Sequence, residues 1–137
     1  NICAGIGRGQ MEVIDLRVSQ RRAMNAFYQD LFKNHNTISV FKEPDAHYYA
    51  NHWLSAILLN SYEDREALRL ALEKENIESR PLWKPMHLQP VFKNAPYYGE
   101  KVSESLFERG LCLPSGSNLT ESDRVRISNV IDNFFTI

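Results

Sequence analysis

The amino-acid sequence predicts a small α+β fold, close to the α/β class, in which helices pack on a three-stranded sheet. Three short, densely apolar runs of strand length alternate with longer segments whose apolar residues recur every three or four positions. The resulting order, in which four helices alternate with three strands, is typical of one sheet with helices packed on it. With 137 residues, of which 43% are hydrophobic and 24% charged, the chain suffices for one domain with a single core.

The first predicted element is one long amphipathic helix from about Ile6 to Phe32. Its apolar residues follow helical spacing and are Met11, Ile14, Val18, Met24, Phe27 and Leu31. Three glycines at positions 5, 7 and 9 lower the helix propensity of the first turns, and we expect them to serve close helix packing. Residues 33–51 show no period and contain Pro44, which predicts a loop.

The middle of the chain alternates strand and helix. Residues 53–60 are a dense apolar run that predicts a buried strand. Ser61, followed by acidic residues, predicts the N-cap of a helix over 63–75, and Asn76 suits the left-handed position that ends it. A second strand is predicted over 77–83, after which four prolines between positions 81 and 96 make the chain irregular up to residue 98. A loop of this length inside a domain is usually functional.

The last third of the chain predicts two helices around a third strand. A short helix over 100–108 directs Val102 and Leu106 inward, and residues 110–113 form the strand. A turn over 114–118 leads to a final helix over 120–135, capped by Thr120. The inner face of this helix consists of Ile127, Val130, Ile131 and Phe134.

Charge and hydropathy argue against several classes of function. The net charge of −1 gives no electrostatic reason to expect nucleic acid or an anionic membrane as a partner. The longest apolar runs are far shorter than a bilayer requires. Cys3 and Cys112 lie far apart and match no metal or redox spacing, and no secretory signal is recognisable, so we expect a cytoplasmic protein. Because the chain starts without methionine and enters a helix almost at once, we expect it to be cut from something longer.

Isolated motifs elsewhere have ordinary explanations. His47 and His52 are five residues apart, a spacing that neither a helix nor a strand places on one face, so no metal site is expected. His35 lies in a polar stretch and is expected to be solvated. Residues 115–118 could receive an anion on backbone amides, but a tight turn with a helix cap explains them better.

The richest stretch, residues 80–89, lies at the end of the second predicted strand and in the loop after it, where open sheets commonly build sites. Arg80 can hold a phosphate or carboxylate, Trp83 can stack on a ring, and His87 can donate to a hydroxyl or carbonyl. Lys84 adds a further positive charge. The alternative is that Trp83 and Met86 fill the core while Arg80 and Lys84 are surface charges.

Four segments together point to a known family. They are residues 1–10 (NICAGIGRGQ), the strand around Trp53, residues 80–87 (RPLWKPMH) and residues 110–116 (GLCLPSG). In order and approximate spacing they resemble the C-terminal part of the sugar aminotransferases of the DegT/DnrJ/EryC1/StrS family. The resemblance covers essentially the whole chain. It implies the small C-terminal domain of the aspartate aminotransferase (type I PLP) fold, with a long helix over 1–34 and a small-sheet domain over 35–137.

The resemblance also implies an activity for a longer parent protein. Such an enzyme uses pyridoxal phosphate (PLP) to transfer an amino group from glutamate to a 4-keto-6-deoxy UDP-sugar, towards bacillosamine-type sugars in glycan and capsule synthesis. The family's Schiff-base lysine, and the aspartate that pairs with the pyridine nitrogen, lie in a large N-terminal domain. We therefore expect this chain alone to be inactive and to bind no cofactor. In the homodimeric parent, His87 is assigned to the substrate pocket, with Arg80, Trp83 and Lys84 as further candidates.

Two further expectations concern the isolated chain. The family's small domain packs on the large domain and on the partner subunit, so this chain should expose an apolar surface. A stand-alone ligand-binding or regulatory module is the competing interpretation, because alternating helices and strands with an exposed loop also suit a small effector-binding domain.

Overall fold

The computed structural model describes residues 1–136, which form five α-helices and four strands. The helices are α1 (Ile2–Met11), α2 (Ile14–Leu31), α3 (Tyr62–Lys74), α4 (Val102–Arg109) and α5 (Glu121–Thr136). The strands are β1 (Ser39–Val40), β2 (Ser55–Leu58), β3 (Arg80–Pro81) and β4 (Gly110–Leu113). Two single 3-10 turns, Met86–Leu88 and Pro90–Phe92, lie between β3 and α4. Within residues 1–136, no helix combines the length and the apolar character needed to cross a membrane.

The strands form one antiparallel sheet in the order β1-β2-β4-β3. The predicted α+β class is confirmed, but the sheet has four strands instead of three. The additional strand, β1, lies within residues 33–51, which the sequence predicts as a loop. Two residues are too few to show a period. They form a strand because they pair with a distant segment, which places Val40 opposite Ile57.

The two faces of the sheet differ in what covers them. Ile57 and Leu111 are direct partners in the β2–β4 pair and are fully buried. They belong to a core that also contains Met24 and Tyr28 of α2, Leu68 and Leu72 of α3, and Ile127 and Ile131 of α5. Successive strand residues point to opposite faces. Ala56, Cys112 and Arg80, which share one line of register, therefore lie on the face opposite the helical core.

The predicted single helix from Ile6 to Phe32 is wrong, because the structure has two helices there. The first helix ends at Met11, and Val13 has φ −119°, outside the helical region, before α2 begins. The spacing of apolar residues does not reveal so short a break, since the residues on either side keep their three- and four-residue intervals.

Helix α1 is exposed along its whole length within the described structure. Ile2 and Ile6 are exposed apolar side chains, which confirms the expected apolar surface. A Cβ added at Gly5, Gly7 or Gly9 would meet nothing within 4 Å. The glycine side of the helix therefore touches none of the described residues, although it would allow another segment to approach closely.

Local capping chemistry sets the helix ends much as predicted. Ser61 Oγ accepts a hydrogen bond from the Asp64 backbone N–H at 3.0 Å, and Asn76 takes φ 56° just after α3. At α5, Thr120 Oγ1 accepts from the Asp123 N–H at 3.3 Å. These ends are predictable because the capping residue and its partner are only a few positions apart.

The bounds of two strands and the direction of one side chain differ from the predictions. Strand β2 has four residues where a run over 53–60 is predicted, and β3 has two where 77–83 is predicted. Apolar content indicates burial, whereas ladder hydrogen bonds decide where a strand ends. The predicted inward direction of Val102 is wrong because its side chain is exposed, while Leu106 is half-buried. The predicted inner face of α5 is confirmed, with Ile127 and Ile131 fully buried.

Candidate functional site

An open groove of about 660 Å³ lies on the sheet face opposite the helical core. Ala56 and Cys112 of the central strands contribute to its floor, and Leu82 and Trp83 line it beyond β3. Residues 41–54, here called the groove loop, supply most of the remaining lining. The lining side chains are mainly aromatic or aliphatic, which is typical of a site for an organic ligand with a flat or apolar part.

Two indole rings face each other in this groove. The ring centroids of Trp53 and Trp83 are 6.0 Å apart with an interplanar angle of 35°. The two residues are 60% and 67% exposed. Within the described residues, neither Trp83 nor Met86 fills the core, so that half of the alternative is wrong. Its other half agrees with the structure, because Arg80 and Lys84 are exposed charges. Large aromatic surfaces left in water beside a groove are available for stacking on a planar ligand.

The groove loop is tied to helix α2 by two consecutive arginines. Arg21 Nη1 donates to the carbonyl oxygen of Trp53, and it also donates to the Ser115 carbonyl at 3.1 Å. Arg22 Nη1 donates to the Ala50 carbonyl, and its guanidinium carbon lies 4.1 Å from the centroid of the Tyr49 ring. A long loop without regular structure is thus held to a helix at several points, which fixes one wall of the groove.

Glu43 and His52 form a polar pair in the mainly apolar groove wall. Glu43 Oε1 accepts from Arg22 Nη1 at 2.8 Å, and Glu43 Oε2 lies 3.2 Å from His52 Nε2. The Glu43 backbone N–H and the Arg22 guanidinium lower the pKa of the Glu43 carboxyl to about 2. The carboxylate therefore stays ionised near neutral pH and orients the imidazole beside it.

Trp83 lines a second cavity as well, of about 600 Å³ and on the same side of the sheet, and Arg80 lines this second cavity with it. The Arg80 side chain is 78% exposed, and its Nε donates to Glu78 Oε1 at 2.7 Å. Such an exposed pair contributes little stability, so Arg80 can exchange Glu78 for a ligand anion. Cys112 borders the cavity, and burial raises the pKa of its thiol. Lys84 is exposed and lines neither cavity.

His87 lies in the first 3-10 turn and faces residues of this chain's own later segments. Its Nε2 is 3.0 Å from Glu104 Oε1, and its ring centroid is 3.8 Å from that of Tyr97. The ring is thereby placed between α4 and the segment before it, outside the residues that line the groove. Of the four residues predicted from the sequence, the structure brings Trp83 and Arg80 together at the cavities and places Lys84 and His87 outside them.

The sequence does not indicate that Trp53, Glu43 and His52 are groove residues. The available signal is the pair Arg21–Arg22 on a helix that also buries apolar residues, because adjacent charges on such a helix need partners from elsewhere. His47 pairs with Asp45 at 2.9 Å on the surface, away from the groove. Among residues 1–136, no three His, Cys, Asp or Glu side chains are grouped to hold a metal ion.

The predicted solvation of His35 is wrong. Its ring is half-buried and lies 6.0 Å from the ring of Phe32 and 4.9 Å from that of Phe135, measured between centroids. The partner Phe135 is a hundred positions further along the chain, so nothing near His35 in the sequence indicates this contact.

The lysines do not fit the anchoring of PLP. All six, Lys33, Lys42, Lys74, Lys84, Lys93 and Lys101, are exposed. Lys42 lines the groove, but its neighbour Glu43 is committed to Arg22 and His52. A PLP site requires an enclosed lysine and an acidic partner for the pyridine nitrogen. The described residues provide a groove for a ligand, and they do not provide a covalent attachment for this cofactor.

Comparison with known proteins identifies the family. The model of the DegT/DnrJ/EryC1/StrS aminotransferase family matches residues 1–132. The chain belongs to this family. The resemblance noted in the four sequence segments is thereby confirmed, and the aminotransferases of the family are PLP-dependent enzymes.

Two curated relatives and one solved structure illustrate the similarity. The putative pyridoxal phosphate-dependent aminotransferase EpsN of Bacillus subtilis (strain 168) is 40% identical over an alignment of 139 positions, which covers 98% of this chain and 36% of the relative. GDP-perosamine synthase of Escherichia coli O157:H7 is 32% identical over 136 residues, 99% of this chain and 36% of the relative. The crystal structure of a DegT DnrJ EryC1 StrS aminotransferase from Brucella abortus has a TM-score of 0.77 at 29% identity, covering 92% of this chain and 33% of that chain. The chain therefore spans little more than a third of the length of these family members.

Proposed function

We propose that this chain is the C-terminal part of a PLP-dependent sugar aminotransferase and that its groove forms the nucleotide-sugar side of the active site. The longer protein, called the parent enzyme below, transfers an amino group from glutamate to the keto carbon of a 4-keto-6-deoxy UDP-sugar. It acts in glycan or capsular polysaccharide synthesis, as a homodimer in the cytoplasm. Family membership and the length of the relatives support this proposal. PLP and its lysine belong to the remainder of the parent enzyme, because the lysines described here do not fit them.

The observation that carries the proposal is the pair of exposed indoles, Trp53 and Trp83, beside an apolar groove. A nucleobase is a flat ring that gains stacking energy on an indole, whatever its hydrogen-bonding pattern. Arg80 at the adjoining cavity supplies a guanidinium suited to the two phosphates between base and sugar. Aromatic and cationic groups thus lie next to each other, as a nucleotide sugar requires.

His87 and Lys84 belong to the same proposal as residues of the segment that follows Trp83. Glu104 already engages Nε2 of His87, so a contact with the substrate would use its other ring nitrogen, Nδ1. Lys84 would add positive charge near the phosphates.

The identity of the nucleotide can be tested by comparing UDP-linked and GDP-linked substrates. The relatives include GDP-perosamine synthases of Escherichia coli O157:H7 and Vibrio cholerae, so GDP-linked 4-keto-6-deoxyhexose is assayed beside the UDP-linked compound. Preference for the UDP-linked sugar is the expected result. Preference for the GDP-linked sugar would keep the aminotransferase proposal and change its nucleotide.

The first test replaces one indole in the parent enzyme. Trp83→Ala should raise KM for the nucleotide sugar about tenfold, because base stacking on an aromatic ring contributes about 1–3 kcal/mol. The half-reaction with glutamate, which needs no nucleotide subsite, should change less than about twofold. Tyr98→Ala is the matched control, since Tyr98 is an exposed aromatic residue outside both cavities. Equal losses in the two Ala variants would remove Trp83 from the site.

The second test concerns His87. If it contacts the substrate, His87→Ala should weaken use of the nucleotide sugar by about 1–3 kcal/mol and spare the glutamate half-reaction. If its ring only braces α4 through Glu104, both half-reactions should fall together with the melting temperature.

A gene with its own start codon just before Asn1 would favour the stand-alone module and contradict the enzyme proposal.

A further inference from the structure

His52 in the groove wall combines a nearly buried side chain with an unusual backbone conformation. The His52 side chain is 9% exposed, yet it lines the groove. Its backbone has φ 47°, in the left-handed region that side-chain-bearing residues rarely occupy. The only other non-glycine residue with positive φ within residues 1–136 is Asn76, which ends helix α3. His52 follows no helix, so the helix-ending role that explains Asn76 does not explain it.

The partners of His52 form a chain of fixed charges. Arg22 reaches from α2 to Glu43 Oε1, and Glu43 Oε2 lies beside His52 Nε2. A carboxylate at Nε2 favours the proton on that nitrogen. In the neutral ring the other nitrogen, Nδ1, is then an acceptor. This is the arrangement by which a second residue commonly fixes the orientation and tautomer of a histidine that binds a ligand.

Besides Glu43 and His52, the polar side chains in the groove lining are Lys42, Asn51 and the tyrosines 48 and 49. Asn51 Oδ1 already accepts a hydrogen bond from the Trp53 backbone N–H. The lining is mostly aromatic and aliphatic, and the charged pair Arg22–Glu43 is already satisfied internally. A ligand lying on Trp53 and Trp83 would meet His52 as a hydrogen-bonding side chain of the same loop, one position before Trp53. Specificity in such grooves usually comes from a small number of well-placed polar groups.

We propose that His52 is a substrate-binding residue that accepts a hydrogen bond from a hydroxyl of the sugar-nucleotide ligand at Nδ1, with Glu43 and Arg22 as the residues that position it. The inference rests on the proposed function, and it adds a specificity contact that the sequence motifs do not indicate. Glu43 acts through His52 and need not touch the ligand. Its negative charge faces Arg22 and the imidazole, which keeps it away from the phosphates.

The test uses the parent enzyme and three variants. Glycine adopts φ 47° without strain, so His52→Gly removes the side chain while relieving the backbone. It should raise KM for the nucleotide sugar about tenfold and leave the glutamate half-reaction within about twofold. His52→Asn, which also tolerates positive φ and places an amide oxygen near the position of Nδ1, should restore KM to within about threefold of the unsubstituted enzyme. His47→Ala is the matched control, because His47 pairs with Asp45 in the same loop but lies outside the groove.

The possible outcomes separate the failure of this inference from the failure of the proposed function. A parent enzyme that aminates neither the UDP-linked nor the GDP-linked 4-keto-6-deoxyhexose would overturn the proposed function and this inference with it. An active parent enzyme whose KM is unchanged in His52→Gly would overturn the inference alone. Equal losses in both half-reactions would also overturn it. A residue that only stabilises the loop would affect folding, and therefore both half-reactions alike. A KM increase in His52→Gly, reversed by His52→Asn, would confirm it.

Discussion

The hydroxyl of Ser115 holds two parts of the sheet together, and its removal gives a quantitative test of the fold. Ser115 Oγ accepts a hydrogen bond from the Ser55 backbone N–H at 2.7 Å and donates to the Leu113 carbonyl at 2.8 Å. Both serines are buried. Ser115→Ala leaves the Ser55 N–H without its acceptor in the interior, where an unsatisfied donor costs about 1–3 kcal/mol. We expect the free energy of unfolding to fall by about 2 kcal/mol.

Urea unfolding of the 137-residue chain, followed by tryptophan fluorescence, measures this change. The midpoint should fall with an unchanged m-value, and the melting temperature should drop by about 6–8 °C for a chain of this size. Ser117→Ala is the matched control because Ser117 lies in the same turn and is only half-buried. Its effect should stay within about 0.5 kcal/mol.

Two results would refute this reasoning. A Ser115→Ala change no larger than that of Ser117→Ala would show that the hydroxyl is replaceable, for example by water. Stabilisation of the unsubstituted chain by phosphate, lost in Ser115→Ala, would favour the alternative in which this turn binds an anion.

The remaining predictions concern packing, pH and the cofactor. Gly110→Ala should destabilise the chain by about 2 kcal/mol in the same urea assay, because its Cβ would collide with the Leu106 carbonyl oxygen and the Leu82 side chain; a neutral result would show that α4 can shift. The pKa of Glu43 falls from 4.5 to about 2 in the folded chain through its own backbone N–H and Arg22, so its contribution to stability is present above pH 4.5 and is lost as pH falls towards 2. The protection factors of the groove-loop amides, which are corrected for the intrinsic pH dependence of exchange, should fall over that interval, and Glu43→Gln should abolish this particular pH dependence. Incubation of the chain with PLP should give no stoichiometric visible band that disappears on replacing one specific lysine, and such a band would contradict the assignment of the cofactor to the rest of the parent enzyme.

Features that depend on neighbouring residues were predictable from the sequence. The class of the fold, the cap at Ser61, the end of α3 at Asn76 and the inner face of α5 were all accessible from the sequence. Each depends on residues within one or two helical turns of each other, so local spacing contains the answer. The family resemblance has a similar basis, since each of the four segments that carry it is a short continuous stretch of sequence.

Tertiary structure alone decided the features that depend on distant pairing. Strand β1 exists because it hydrogen-bonds to β2. The break between α1 and α2 was also visible only in the structure, because it leaves the spacing of the apolar residues intact. The groove unites the loop after β1, the strand ends and residues beyond β3, which no local window contains. His52 owes its orientation to Glu43, nine positions earlier, and to Arg22 on another element. The sequence by itself therefore determined the fold class, several helix ends and the family, whereas strand β1 and the site required the fold, because hydrogen bonds and ring contacts between remote segments leave no periodic trace along the chain.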